Sequence, residues 1–91
     1  DAPYFAMAAR ADAQARRIAD AFAARGCRMR YDSPTNQQFP ILPAAWARAL
    51  AERYAYSPMG ACEGGELVRF CTSWATRDED VDALVADIAA L

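Results

Sequence analysis

The chain has 91 residues, 55% of them hydrophobic, with ten basic and twelve acidic side chains and a formal net charge of −2. That length allows one small domain, and the near-neutral balance gives no electrostatic footprint for nucleic acid. All ten basic residues are Arg and the sequence holds neither Lys nor His, so a Schiff-base amine and an imidazole base or metal ligand are both missing from this chain. Its own chemistry is limited to carboxylates, thiols, hydroxyls and guanidinium groups.

Ala fills 23 positions, which suits closely packed helices. Residues 1–50 carry seven Arg and four acids, residues 51–91 three Arg and eight acids, which predicts two differently solvated faces. No apolar run approaches the roughly 18–20 residues of a membrane span, and no signal-peptide layout is visible. The expectation is a soluble, cytoplasmic domain. Cys27, Cys62 and Cys71 are odd in number and widely spaced, with no CxxC pair, which predicts reduced, mostly buried thiols and no metal. The chain opens on Asp1 rather than Met, as a piece of a longer polypeptide would.

From Tyr4 to Arg25 there is no Gly or Pro, and Met7, Ala11, Ala15, Ile18 and Phe22 recur at helical spacing. This predicts a helix with those residues on its packed face, Asp12, Gln14, Arg16, Arg17 and Asp20 on its wet face, and Gly26 as its C′ stop. Cys27 to Tyr31 alternates apolar residues with Arg28 and Arg30, the pattern of a half-buried strand, and Asp32-Ser33-Pro34 ends it with turn residues. Thr35 to Leu42 reads as extended, with Pro40 pushing it to an edge or a bulge. Pro43 suits the first turn of a helix from Ala44 to about Tyr54, striped by Trp46, Leu50 and Tyr54.

Tyr56 to Met59 fits a short strand, Gly60 to Gly65 a turn-rich connection, and Glu66 to Thr72 a strand that is apolar except for Arg69 at its middle. Thr76-Arg77-Asp78-Glu79 matches a capping box, with Thr76 as N-cap and Glu79 reaching back from N3. Val81, Leu84, Val85, Ile88 and Leu91 then form one apolar helical face. The order αββαββα predicts a two-layer α+β sandwich, a small antiparallel or mixed sheet covered by helices on one face. A domain of this size buries only about 60–65% of its extended surface and gains from docking on something larger.

Arg69 is the residue whose chemistry most needs an explanation. A guanidinium inside an apolar strand must be solvated on an open sheet face, paired with an acid, or waiting for a carboxylate or phosphate. Asp78, Glu79, Asp80 and Asp82 read as helix-start charge rather than as a metal or acid–base cluster. Gly60, Gly64 and Gly65 match no phosphate-binding fingerprint. Arg25, Arg28 and Arg30 form a small basic patch, weak grounds for nucleic-acid binding. Trp74 either walls a pocket beside Arg69 or covers the end of the sheet.

Two segments, Asp32-Ser33-Pro34-Thr35-Asn36-Gln37-Gln38-Phe39-Pro40-Ile41-Leu42-Pro43 and Leu67-Val68-Arg69-Phe70-Cys71-Thr72-Ser73-Trp74-Ala75-Thr76, the latter followed by Glu79-Asp80-Val81-Asp82-Ala83-Leu84, resemble the C-terminal small domain of low-specificity L-threonine aldolases. These belong to the β-eliminating-lyase group of fold type I pyridoxal-phosphate enzymes. The resemblance covers essentially the whole chain. It implies that residues 1–91 are a single small domain, that a large pyridoxal-phosphate-binding domain of the same polypeptide is absent, and that Arg69 grips the substrate α-carboxylate. It further implies a homodimeric or homotetrameric parent acting on an amino-acid substrate. Asn36 and Gln38 lie in the matching motif, with a structural role in the bend before Phe39 as the default. The family's Schiff-base Lys and stacking His have no counterpart here, so the chain by itself is expected to be an inactive fragment with no bound cofactor, metal, nucleic acid or membrane. The alternative is a free-standing small-molecule-binding or regulatory α+β module that uses Arg69 without any reaction.

Overall fold

The opening run without Gly or Pro forms α1 (Ala2–Ala24) in the computed structural model, which describes residues 2–73 and 75–91. Gly26, at φ 80°, ends it in a Schellman arrangement: the Cys27 amide donates to Phe22 O (3.1 Å) and the Gly26 amide to Ala23 O (2.9 Å). Then follow β1 (Arg28–Met29), β2 (Gln37–Gln38), β3 (Pro40–Leu42), α2 (Ala44–Ala51), β4 (Ser57–Cys62), β5 (Gly65–Cys71) and α3 (Asp78–Ala89). The expected role of Trp74 lies outside the described residues.

β5 is the central strand. It pairs antiparallel with β4 on one side and with β2 and β3 on the other, and β1 pairs with β3. β2 and β3 share a single register on β5, Gln38 opposite Phe70 and Ile41 opposite Leu67. The one extended run read over 35–42 is thus split rather than shifted. Pro40 has no N–H to give to a ladder, and the Phe39 carbonyl turns outward to accept from the Arg30 amide (2.8 Å). The proline is buried at the split and faces Met29 of β1.

Alternation along β5 separates two faces. Val68 and Phe70 are buried with Leu42, and they meet Ile18 and Phe22 of α1, Ala47 and Leu50 of α2, and Val81, Leu84 and Ile88 of α3 in one core. All three helices therefore cover the same face of the sheet, the two-layer α+β sandwich that the order of elements predicts. Phe70 sits between Phe22 and Tyr56, with ring centroids 5.5 and 5.3 Å away. The opposite face carries Leu67, Arg69 and Cys71.

Several expectations need correcting. Cys71 is exposed and Cys27 and Cys62 are half-buried, all three as free thiols; Cys71 falls on the uncovered face because it is odd in the β5 alternation. Burial does push the Cys27 thiol above its ordinary range, against a smaller opposing effect of Arg25. Met7 is exposed and Gln14 is buried. A helix of 23 residues is about 35 Å long and runs most of the 41 Å long dimension of the molecule, and residues 5–10 at its start are exposed. Gln14 lies three residues after Ala11 and four before Ile18, which puts it on the packed stripe despite its polarity. α2 ends at Ala51, short of Tyr54, and Pro43 is its N-cap. Gly60 to Cys62 belongs to β4, leaving Glu63-Gly64 as a two-residue hairpin turn.

The capping box does not form. Helix α3 starts at Asp78 with Arg77 in the N-cap position, so Glu79 is at N2, one residue short of reaching back. The Thr76 hydroxyl instead accepts from the Ser73 amide (2.8 Å), and the Glu79 carboxylate pairs with Arg77 (2.6 Å). Asp78 serves the α1–α3 contact: it accepts from Gln14 Nε2 (2.8 Å) and pairs with Arg10 (3.3 Å), while Arg17 pairs with Asp82 (2.8 Å). The bonds from Gln14 and then Arg10 hold the Asp78 carboxyl below its usual range. A carboxyl lowered in the folded state stabilises above its unfolded pKa of about 3.9, and that contribution is lost as pH falls through the folded value. Asp78→Asn is therefore expected to flatten the acid limb of a plot of urea midpoint against pH below about 4, while still accepting from Gln14. An acid limb unchanged in this variant would contradict the assignment.

Candidate functional site

Arg48 is exposed on α2, and the other nine arginines separate by what they touch. Arg10, Arg16, Arg17, Arg53 and Arg77 pair with carboxylates. Arg25 donates to the Ile88 and Ala89 carbonyls (2.8 and 3.1 Å) at the end of α3 and stacks 4.7 Å over Trp46, so it serves as a C-terminal cap. Arg30 lies 4.8 Å over Tyr31, and Arg28 is exposed on β1. The basic patch read over 25–30 is thus divided, with Arg25 engaged in the fold.

Arg69 behaves differently. It is half-buried at the centre of β5, on the face that no helix covers. Among the described residues no carboxylate lies within ion-pair distance of it. Its Nη2 donates to the Ser57 hydroxyl at 3.1 Å, and its Nε is sealed from solvent without a hydrogen-bond partner. An unsatisfied buried donor costs about 1–3 kcal/mol. Of the two structural explanations for this residue, pairing with an acid is thereby removed, and placement on the open face is what the fold shows. An uncompensated guanidinium held on such a face suits a carboxylate or phosphate, which its planar fork can take at two points.

The surrounding chain fixes this strand. The Thr72 hydroxyl donates to Ala11 O (2.6 Å), anchoring the end of β5 to α1. Asn36 clasps the same residue: Nδ2 donates to Thr72 O (2.7 Å) and its carbonyl accepts from the Thr72 amide (3.0 Å). Gln38, 2% exposed, donates to Ser33 O (2.9 Å) and closes the bend. Asn36 and Gln38 therefore hold the backbone, as the default reading has it. Ser57 was not legible as the partner of Arg69, because no local signal announces which residue of one strand will stand opposite another.

The acids at the start of α3 are helix-start charge and ion-pair partners. Among the described residues no cluster of three or more His, Cys, Asp or Glu side chains could hold a metal, and no helix is long and apolar enough to cross a membrane.

No protein-family model matches the chain, and no curated protein does. Among solved structures, the threonine aldolase of Leishmania major superimposes with a TM-score of 0.84 at 26% identity, over 90% of this chain and 24% of that one. The chain therefore spans about a quarter of the length of the enzyme it resembles. The family read from the two sequence segments and the family of the matching structure are the same, so fold and motif together support a threonine aldolase C-terminal domain.

Proposed function

We propose that this chain is the small domain of a pyridoxal-phosphate-dependent threonine aldolase, a lyase that cleaves L-threonine or L-allo-threonine to glycine and acetaldehyde, and that Arg69 binds the substrate carboxylate. The observation that carries the reading is Arg69 itself, half-buried on an open sheet face with no acid beside it among the described residues, in a domain with the fold of a threonine aldolase. The residues present do not fit the cofactor: a chain without Lys has no amine to hold pyridoxal phosphate as a Schiff base. The amine that would hold the cofactor and the group that takes the proton from the substrate β-hydroxyl accordingly belong to the large domain of the same polypeptide. The share of this chain is orientation. A two-point guanidinium–carboxylate contact fixes one substituent of Cα, and with it the direction in which the bond to Cβ points. The parent is a cytoplasmic homodimer or homotetramer on this reading.

The test compares two polypeptides. The longer one, loaded with pyridoxal phosphate, is expected to release acetaldehyde from L-threonine. The 91-residue chain alone is expected to release none and to give no calorimetric signal with threonine or glycine. Binding of either amino acid by the isolated chain would favour a free-standing binding module and overturn the assignment.

A further inference from the structure

We propose that Ser57 is a positioning residue that aims Arg69 at its anion, an inference resting on the reading of Arg69 as the carboxylate clamp. Ser57 stands directly opposite Arg69 in the β4–β5 ladder, and directly opposed residues share a sheet face. Its hydroxyl accepts from Nη2 at 3.1 Å. A guanidinium has five N–H donors. With Nε sealed and one Nη2 hydrogen on Ser57, both Nη1 hydrogens and one on Nη2 are left, enough for a two-point clamp. A hydroxyl suits this task where a carboxylate would not. It restrains the flexible arginine stem without neutralising the charge or occupying the fork that the substrate needs.

The local backbone is arranged to place this serine. Next to the turn, Cys62 pairs with Gly65 and Ala61 with Glu66. Continued unbroken, that register would set Pro58 opposite Arg69, a residue with no side-chain acceptor. A register shift between Pro58 and Ala61 intervenes, with Gly60 at φ 101° inside it, and it moves Ser57 into the opposing position. A bulge of this kind re-aims side chains at the cost of ladder hydrogen bonds. Here the side chain it delivers is the one on Arg69.

The experiment is steady-state kinetics of the full-length, cofactor-loaded enzyme with L-threonine, comparing Ser57→Ala, Ser57→Thr, Arg69→Ala and the double variant Ser57→Ala/Arg69→Ala. Ser57→Ala is expected to raise KM about tenfold, the scale of a lost bond to a charged group, with kcat and the thermal midpoint near wild type. Ser57→Thr, which keeps the hydroxyl, restores KM, and the double variant is no worse than Arg69→Ala alone. A KM for Ser57→Ala within about twofold of wild type, or effects of the two substitutions that simply add, would overturn the role of Ser57 while leaving Arg69 as the clamp. An unchanged KM in Arg69→Ala would overturn the clamp and the role of Ser57 together.

Discussion

Replacing Arg69 by Ala in the proposed full-length aldolase is expected to lower kcat/KM for L-threonine by about 10²–10³, or roughly 3–4 kcal/mol, chiefly through KM. The size follows from what the substitution leaves behind. A substrate carboxylate brought to a site without its guanidinium sheds water and gains no charge-assisted partner, a larger penalty than the loss of a neutral hydrogen bond. The fold makes the comparison interpretable. Arg69 has no ion-pair partner among the described residues, so its removal frees no acid, and the packed face of β5 is formed by Val68 and Phe70 rather than by Arg69. Truncation also removes the sealed and unsatisfied Nε, which acts against loss of stability. The thermal midpoint is therefore expected to hold while affinity collapses. Arg69→Lys should recover only part of the affinity, because an ammonium keeps the charge but not the planar fork. Kinetics with threonine and a matched amino alcohol lacking the carboxylate check the assignment: the alcohol should be turned over equally by wild type and variant. Equal kcat/KM for threonine in both would refute it.

The parts of the molecule that sequence makes legible are those in which one physical rule acts alone. The α3 stripe of Val81, Leu84 and Ile88 is buried as its spacing requires, and Gly26 ends α1 because a C′ residue needs positive φ. Arg69 was legible because a charge within an apolar strand has few explanations. Where two rules compete, polarity misleads. Gln14 is polar, yet its helical phase sends it inward, where a carbonyl and Asp78 receive its amide hydrogens. Thr76 and Glu79 have capping-box spacing, yet the helix begins one residue too late for it. Ser57 depends on a bulge in β4 and so on the pairing of whole strands, which no window of sequence contains.

Gly65→Val is expected to destabilise the chain by about 3–5 kcal/mol. Gly65 has φ 147°, in the region that L side chains rarely adopt, and a Cβ built there would fall within the contact shell of the Leu42 carbonyl oxygen and 2.9 Å from its carbon. Both obstacles are backbone, so no rotamer change relieves them. The effect should also reach further than a cavity would. Leu42 pairs with Glu66 and packs at 0% exposure in the core, so pushing it from Gly65 parts β3 from β5 at the hairpin end of the sheet. The same hairpin register, shifted once by the bulge, sets Ser57 against Arg69. Loss of stability and loss of the Arg69–Ser57 contact are therefore coupled through one strand. Gly64→Ala in the adjacent turn is the control: a Cβ there has only the Ile41 methyl near it, at 3.9 Å, so positive φ is its sole penalty, about 1–2 kcal/mol. Urea unfolding of the two variants should rank them in that order, and a Gly65→Val midpoint equal to that of Gly64→Ala would show that β3 does not approach β5 as closely as the sheet requires.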